Sequence, residues 1–267
     1  MTRVLVTGGT GLLGGAVVQR LLAAGHEVRV LSRDPAGVRA SLPRVDVRQG
    51  DLREPVGLEG AVAGTDAVVH CATDPRSADE VDVAGTAHLL RALRSADVGH
   101  LVHVSIVGVD QVPLRFYRAK LLAESYVEDQ DVPWTIQRAT QFHPFLDGML
   151  ARSTRLPVVP CPRGLRFQPV AVEDVAARLV DHVTAGPSGR APDLGGPEVL
   201  SQRELAATWL RAHRRHRVLV STPLPGKLGA AFRRGANLCP DQASGGATWR
   251  EYLAHSMGDT VPGRQPS

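Results

Sequence analysis

The chain predicts an α/β fold: a doubly wound parallel sheet with a small, irregular C-terminal lobe. Three observations carry this. Six short apolar runs are spaced along the first 140 residues, most of them separated by stretches of helical periodicity. That rhythm implies right-handed βαβ units. The first run breaks into the glycine-rich turn Gly8-Gly9-Thr10-Gly11. Beyond residue 140 the rhythm ends, with prolines at 144, 157, 160, 162, 169, 187, 192 and 197.

Each element follows from its residues. Arg3–Thr7 is a short apolar run that reads as a buried strand. Leu12–Ala24 carries apolar residues at 12, 13, 17, 18, 21 and 22, which is helical spacing, and Gly25 stops it. Glu27–Leu31 alternates as a second strand, and Val45–Arg48 is a third. A short helix spans Leu58–Val62, and Ala67–His70 is a fourth strand. Val83–Ala96 is helical, Leu101–Ser105 a fifth strand, Phe116–Gln130 helical and Trp134–Arg138 a sixth strand. In the C-terminal part, the stretch from Val172 to Val180 is a helix with an acidic first turn. Ser201-Gln202-Arg203-Glu204 is a capping box opening a helix to about Ala212. Val218–Val220 is a short strand, and Gly258–Ser267 a loose tail. The expected division is a doubly wound domain over 1–140 and, over 141–267, a covering lobe that does not fold alone.

Composition narrows the function. The 267 residues are 43% hydrophobic and 22% charged, which is a soluble globular balance. No apolar run reaches the roughly 18 residues of a membrane span. Residues 1–7 enter a strand directly, with no signal-peptide core, so a cytoplasmic location is expected. Three cysteines, Cys71, Cys161 and Cys239, are too few and too dispersed for a disulfide framework or a metal site. A net charge of +4 is too mild to imply nucleic acid, and Arg211–Arg217 reads as a solvated helix end. The expected partner is a small molecule, bound by a monomer or homodimer. Of 31 basic residues only Lys120 and Lys227 are lysines, which singles out Lys120.

The chemistry starts at Gly8-Gly9-Thr10-Gly11-Leu12-Leu13-Gly14, a G-x-x-G-x-x-G pattern between the first strand and the first helix. Glycines let the backbone approach a pyrophosphate, and a helix N-terminus offers N–H groups and partial positive charge. The second strand ends in Ser32-Arg33-Asp34. Arg33 suits a 2′-phosphate, so NADP is expected over NAD. Asp34 falls one step late for a ribose and reads as a turn or cap residue before Pro35, though it keeps NAD as the second choice. Asp51, in Gly50-Asp51-Leu52, is placed either to accept an adenine amino group or to cap a turn.

Together these residues resemble the extended and atypical short-chain dehydrogenase/reductase superfamily, and within it the NmrA-like NAD(P)H-binding branch. The resemblance spans about residues 1–185. It includes Val69-His70-Cys71-Ala72, Asp82-Val83-Ala84-Gly85-Thr86, Val104-Ser105, Tyr117-Arg118-Ala119-Lys120 with Glu124, and Trp134–Arg138. It implies a Rossmann-type fold and cofactor contacts at Gly8, Thr10, Gly11, Leu12, Leu13, Gly14, Ser32, Arg33, Asp51, Leu52, Cys71, Ala72 and Lys120. It also implies that Thr140–Phe142 faces the nicotinamide. The family's chemistry uses a Ser, a Tyr that moves the substrate proton, and a Lys that lowers the Tyr pKa and holds the nicotinamide ribose.

This chain departs from the family's Tyr-x-x-x-Lys spacing. Position 116 is Phe, and Tyr117 lies only three residues before Lys120. The catalytic candidates are therefore Lys120, Tyr117, Ser105 and His143. Tyr117 has a packing role as its alternative, and His143 an ordinary polar one. Glu124 reads as a surface or pairing residue. The expected function is an NADP-dependent oxidoreductase acting on a small hydrophobic carbonyl or conjugated substrate. The alternatives are a non-catalytic NADP sensor, or an isomerase or cyclase that keeps the cofactor as scaffold.

Overall fold

A computed structural model describes residues 1–258. The first strand, β1 (Arg3–Thr7), leads through the glycine turn into α1 (Leu12–Ala23). Then follow β2 (Glu27–Ser32), α2 (Pro35–Ser41), β3 (Asp46–Gln49), α3 (Leu58–Val62) and β4 (Ala67–His70). A wide helical turn over Asp79–Ala84 runs into α4 (Gly85–Arg94). The chain continues through β5 (His100–Ile106), α5 (Arg115–Glu128), β6 (Trp134–Ala139), α6 (His143–Ser153), β7 (Val158–Pro162), β8 (Arg166–Phe167) and α7 (Val172–Ala185). It ends with β9 (Gly189–Arg190), β10 (Leu200–Ser201), α8 (Gln202–Ala212), β11 (Val218–Thr222), α9 (Gly226–Arg233) and α10 (Trp249–Gly258).

Seven parallel strands form the main sheet in the order β3-β2-β1-β4-β5-β6-β9. The chain winds outward from β1 to β3, then crosses back to β4 on the other side of β1. The order reverses between β1 and β4, and in such sheets ligands bind outside the strand C-termini at that crevice. Leu5, Val68, Leu101 and Ile136 face α3, α4 and α5 and form one core with Leu58, Leu89 and Leu93. On the opposite face α7 packs along α1 and over β4, β5 and β6.

Two compact units result: Met1–Ala139 with Val172–Asp193, and Thr140–Ala171 with the chain from Leu194 onward. A single cut at 140 therefore misplaces residues 172–193. They return to the first unit because α7 buries Val175, Ala176 and Leu179 in it, and β9 pairs with β6. The second unit has its own core of Leu146, Leu150, Phe167, Leu205, Trp209, Trp249 and Leu253. It also holds the pairs β8–β10 and β7–β11.

Several elements went unforeseen. Pro144 looked like a break, yet it sits in the first turn of α6, where a missing N–H costs nothing. Pro35 likewise stands in a first helical turn, that of α2, behind Asp34, which caps it as the sequence leads one to expect; the Asp34 carboxylate accepts from the Gly37 amide (3.1 Å). Thr248 and Glu251 form a capping box ahead of α10. The expected loose tail lies outside the described residues from 259 on.

Candidate active site

The glycine turn between β1 and α1 is held by close backbone approach. Gly8 has φ +68, and a Cβ there would lie 2.7 Å from the Ala72 amide nitrogen. A Cβ on Gly14 would collide with the Gly8 carbonyl. The turn therefore nests against the end of β4 on one side and the first turn of α1 on the other. No side chain caps α1, and Thr10, Gly11 and Leu12 are exposed at its mouth while Leu13 is buried beneath. A helix start of this kind offers first-turn N–H groups to an anion.

Around this cradle stand the other predicted contacts. Ser32 accepts from the Asp34 amide (3.1 Å) at the tip of β2. Arg33 is exposed beside it, and among the described residues it forms no ion pair. Asp51 accepts from the Arg53 amide (3.0 Å), so its carboxylate also closes a turn. Leu52 is buried against Gly85, and its carbonyl bonds His88 (2.8 Å). Cys71 and Ala72 follow β4, where the Cys71 amide donates to the Thr7 carbonyl (3.2 Å). Burial pushes the Cys71 thiol up to about 12, so it stays protonated.

Lys120 is buried on the inner face of α5. Its Nζ donates to the Val104 carbonyl (2.7 Å) on β5 and pairs with Asp82 Oδ1 (3.5 Å). Burial lowers the ammonium below the ordinary lysine value, and Asp82 opposes that. Asp82 is itself fully buried and accepts from Thr73 Oγ1 (2.6 Å) and the Asp74 amide (3.1 Å). Beside them, His70 bonds Thr7 Oγ1 (2.6 Å) and Thr86 Oγ1 (3.0 Å). The Thr86 hydrogen goes to the Asp82 carbonyl (2.5 Å), so His70 Nε2 donates to Thr86 and Nδ1 accepts from Thr7. Burial, helped by the Lys120 charge, pushes His70 down to about 3. The His103 ring lies 5.2 Å away and is driven well below its ordinary value by burial.

The structure brings Tyr117, Lys120 and Glu124 onto one buried face of α5, while Phe116 is half-buried with its ring edge-on to Tyr117. Ser105 is buried on β5, in register with Arg138 on β6, and faces the Glu124 carboxylate. Glu124 is no surface residue. It takes hydrogen bonds from Arg138 (2.7 and 2.9 Å) and Arg190 (2.9 Å) with its side chain fully buried. His143 belongs to the second unit. It is 2% exposed, and its ring stacks on Tyr252 (5.0 Å) and Trp249 (6.0 Å). Thr140 and Gln141 are buried in that unit as well, with Thr140 Oγ1 donating to the Gln168 carbonyl (2.5 Å). Asp82, His70 and His103 carried no role in the sequence reading. The signal for Asp82 was its place four residues before Thr86 on a helical stretch.

Comparison with known families decides the class. Residues 8–185 match the model of a family described as NAD(P)H-binding. The chain belongs to the NAD(P)H-binding family. Its similarity to a (4-alkanoyl-5-oxo-2,5-dihydrofuran-3-yl)methyl phosphate reductase of Streptomyces griseus is 34% identity over 211 residues, covering 76% of this chain and 71% of that protein. It is also 31% identical over 215 residues to an NAD(P)H azoreductase of Xenophilus azovorans, covering 76% and 71%. Among solved structures, an NADPH-dependent quinone oxidoreductase of Escherichia coli complexed with NADPH has the same fold. The TM-score is 0.80 at 18% identity, over 95% of this chain and 99% of that one.

The fold is of the Rossmann type, and this NAD(P)H-binding protein is an NAD(P)H-dependent oxidoreductase. The residues present fit a nicotinamide dinucleotide. The turn has room only for glycine at Gly8 and Gly14, and the uncapped start of α1 is shaped for a pyrophosphate. Among the described residues no cluster of side chains is arranged to hold a metal ion, and no helix is long and apolar enough to cross a membrane.

Proposed function

We propose that this chain is an NADP-dependent oxidoreductase of the cytoplasm acting on a small hydrophobic carbonyl or conjugated substrate. The observation that carries the reading is the buried ammonium of Lys120, fixed on the Val104 carbonyl near the end of β5, in the unit that carries the glycine cradle. When bound, the cofactor supplies a hydride from nicotinamide C4. Gly8, Thr10, Gly11, Leu12, Leu13 and Gly14 would hold the pyrophosphate. Ser32 and Arg33 would hold the 2′-phosphate, and Asp51 and Leu52 the adenine side. Lys120 would bond the ribose hydroxyls, with Cys71 and Ala72 along the same edge. An arginine could not replace this compact ammonium on two adjacent hydroxyls.

Proton delivery falls to Tyr117, to Ser105 or to an ordered water. His143, stacked on Tyr252, is the weakest of the candidates. The reductase names of the two curated relatives support hydride transfer to an unsaturated or carbonyl group. One observation favours a second reading: Phe116 has no hydroxyl four residues before Lys120. That suits a non-catalytic NADP sensor of NmrA type, or an isomerase or cyclase using the cofactor as scaffold.

The deciding experiment offers the protein NADPH and a panel of aldehydes, enones, quinones and azo compounds. Cofactor oxidation is followed at 340 nm, and label from 4-deuterated NADPH is sought in the product. Turnover with label in the product is expected for at least one compound. Tight NADPH binding with no oxidation by any of them would reassign the chain to the sensor or scaffold class.

A further inference from the structure

We propose that Asp82 is the positioning residue for Lys120, a buried counter-charge that keeps the ammonium cationic and aimed where the cofactor ribose binds. This rests on the reading of Lys120 given above.

Charge accounting around the ammonium points to Asp82. Lys120 is faced by Asp82 from the turn before α4, by Glu124 from its own helix, by Cys71 after β4, and by His70 and His103 from the sheet. The Cys71 thiol stays protonated and both imidazoles stay neutral. Glu124 is spent on Arg138 and Arg190. Asp82 is the remaining anion and, among the described residues, no arginine pairs with it. A buried ammonium without a counter-charge is strongly disfavoured.

Geometry supports the same assignment. The Asp82 carboxylate is clamped by Thr73 Oγ1 (2.6 Å) and the Asp74 amide (3.1 Å), so it cannot follow a wandering lysine. Thr73 and Asp74 continue the loop of Cys71 and Ala72, against which the Gly8 turn rests. Asp82 therefore ties the ammonium to the loop that borders the cradle. Of the three N–H groups of Lys120, one goes to Val104 and one toward Asp82. One remains for a ligand.

The test uses the scarcity of lysine. With only Lys120 and Lys227 in the chain, Lys227→Arg assigns the Lys120 side-chain signal in 13C/15N-lysine NMR. Asp82→Asn is expected to move the Lys120 titration to lower pH and to weaken NADPH binding about tenfold at pH 8, the loss growing with pH. In a Lys120→Ala background Asp82→Asn is expected to cost nothing further. An unmoved Lys120 titration, or an equal Asp82→Asn penalty with and without Lys120, would overturn the proposal, since a merely structural carboxylate behaves that way. Wild-type NADPH affinity in Lys120→Ala would instead overturn the ribose role of Lys120, while the NMR titration still decides the ion pair. If Asp82→Asn does not fold, Thr73→Val removes one donor and leaves the charge. The Lys120 titration must then hold or move to higher pH, and a move to lower pH overturns the proposal.

Discussion

Arg138 on β6 grips the fully buried carboxylate of Glu124 on α5 with two hydrogen bonds, of 2.7 and 2.9 Å. Burial alone would raise this carboxyl. The bonds from Arg138 and Arg190, with the Ser105 hydroxyl nearby, hold it below the usual range. Arg190 lies on β9, so one carboxylate pins α5, β6 and the last strand of the sheet. Glu124→Ala strands two guanidinium groups against a cavity. A loss of about 3 kcal/mol of unfolding free energy is expected, as for other broken buried pairs. Urea unfolding measures it, and a loss below about 1 kcal/mol would show that the outer carboxylates, Asp110 on Arg138 (3.2 Å) and Glu128 on Arg190 (2.6 Å), suffice for the arginines.

Acid sensitivity follows from the buried imidazoles. His70 is held down to about 3 and His103 well below its ordinary value, both chiefly by burial. In the unfolded chain each titrates near 6.5. Their contribution is therefore whole above pH 6.5 and is lost as pH falls, for His70 toward about 3. Between pH 7.5 and 5.5 His70 alone costs about 1.4 kcal/mol, and His103 adds in the same direction. Urea unfolding at the two pH values is expected to show this fall. Neither ring nitrogen of His103 has a hydrogen bond among the described residues. His103→Leu is thus expected to cost little at pH 7.5 and to flatten the profile by about one proton.

Cofactor choice rests on Arg33, exposed just past the tip of β2 and, among the described residues, without an ion pair. A charge-assisted phosphate contact is worth about 1.5–3 kcal/mol, or roughly ten- to a hundred-fold. NADPH is expected to bind that much more tightly than NADH, and Arg33→Ala to erase the difference. Fluorescence titration of both nucleotides decides it, and equal affinities in the wild type would favour NAD.

Tyr117 shares the buried face of Lys120 one helical turn earlier, rotated by about 100° from the family's usual position. Tyr117→Phe is expected to lower single-turnover hydride transfer by less than about tenfold and to leave NADPH affinity unchanged. A loss of 10²–10⁴-fold would make Tyr117 the proton donor after all.

A fragment spanning 141–267 is expected not to fold. Its α7 buries Val175, Ala176 and Leu179 in the first unit, along α1. Circular dichroism and a thermal melt of the isolated fragment test this. A cooperative transition would show that the second unit stands without α1.

Much of the fold was legible because it depends on local rules. The strand–helix rhythm, the glycines forced by close backbone approach at Gly8 and Gly14, and the cofactor class they imply all arise from residues near one another in the chain. Tertiary structure alone decided the rest. Pro144 reads as a break in sequence because a proline ends a helix or begins one depending on the side from which the chain arrives. The return of residues 172–193 depends on which apolar face α1 leaves uncovered. Asp82 and Lys120 meet only because the parallel register of β4 and β5 carries their helices side by side. In sequence His143 reads as a catalytic candidate or an ordinary polar residue, and Glu124 as a surface or pairing residue. Burial against Tyr252 and against Arg138 gives them their roles, and burial is a property of the packed molecule.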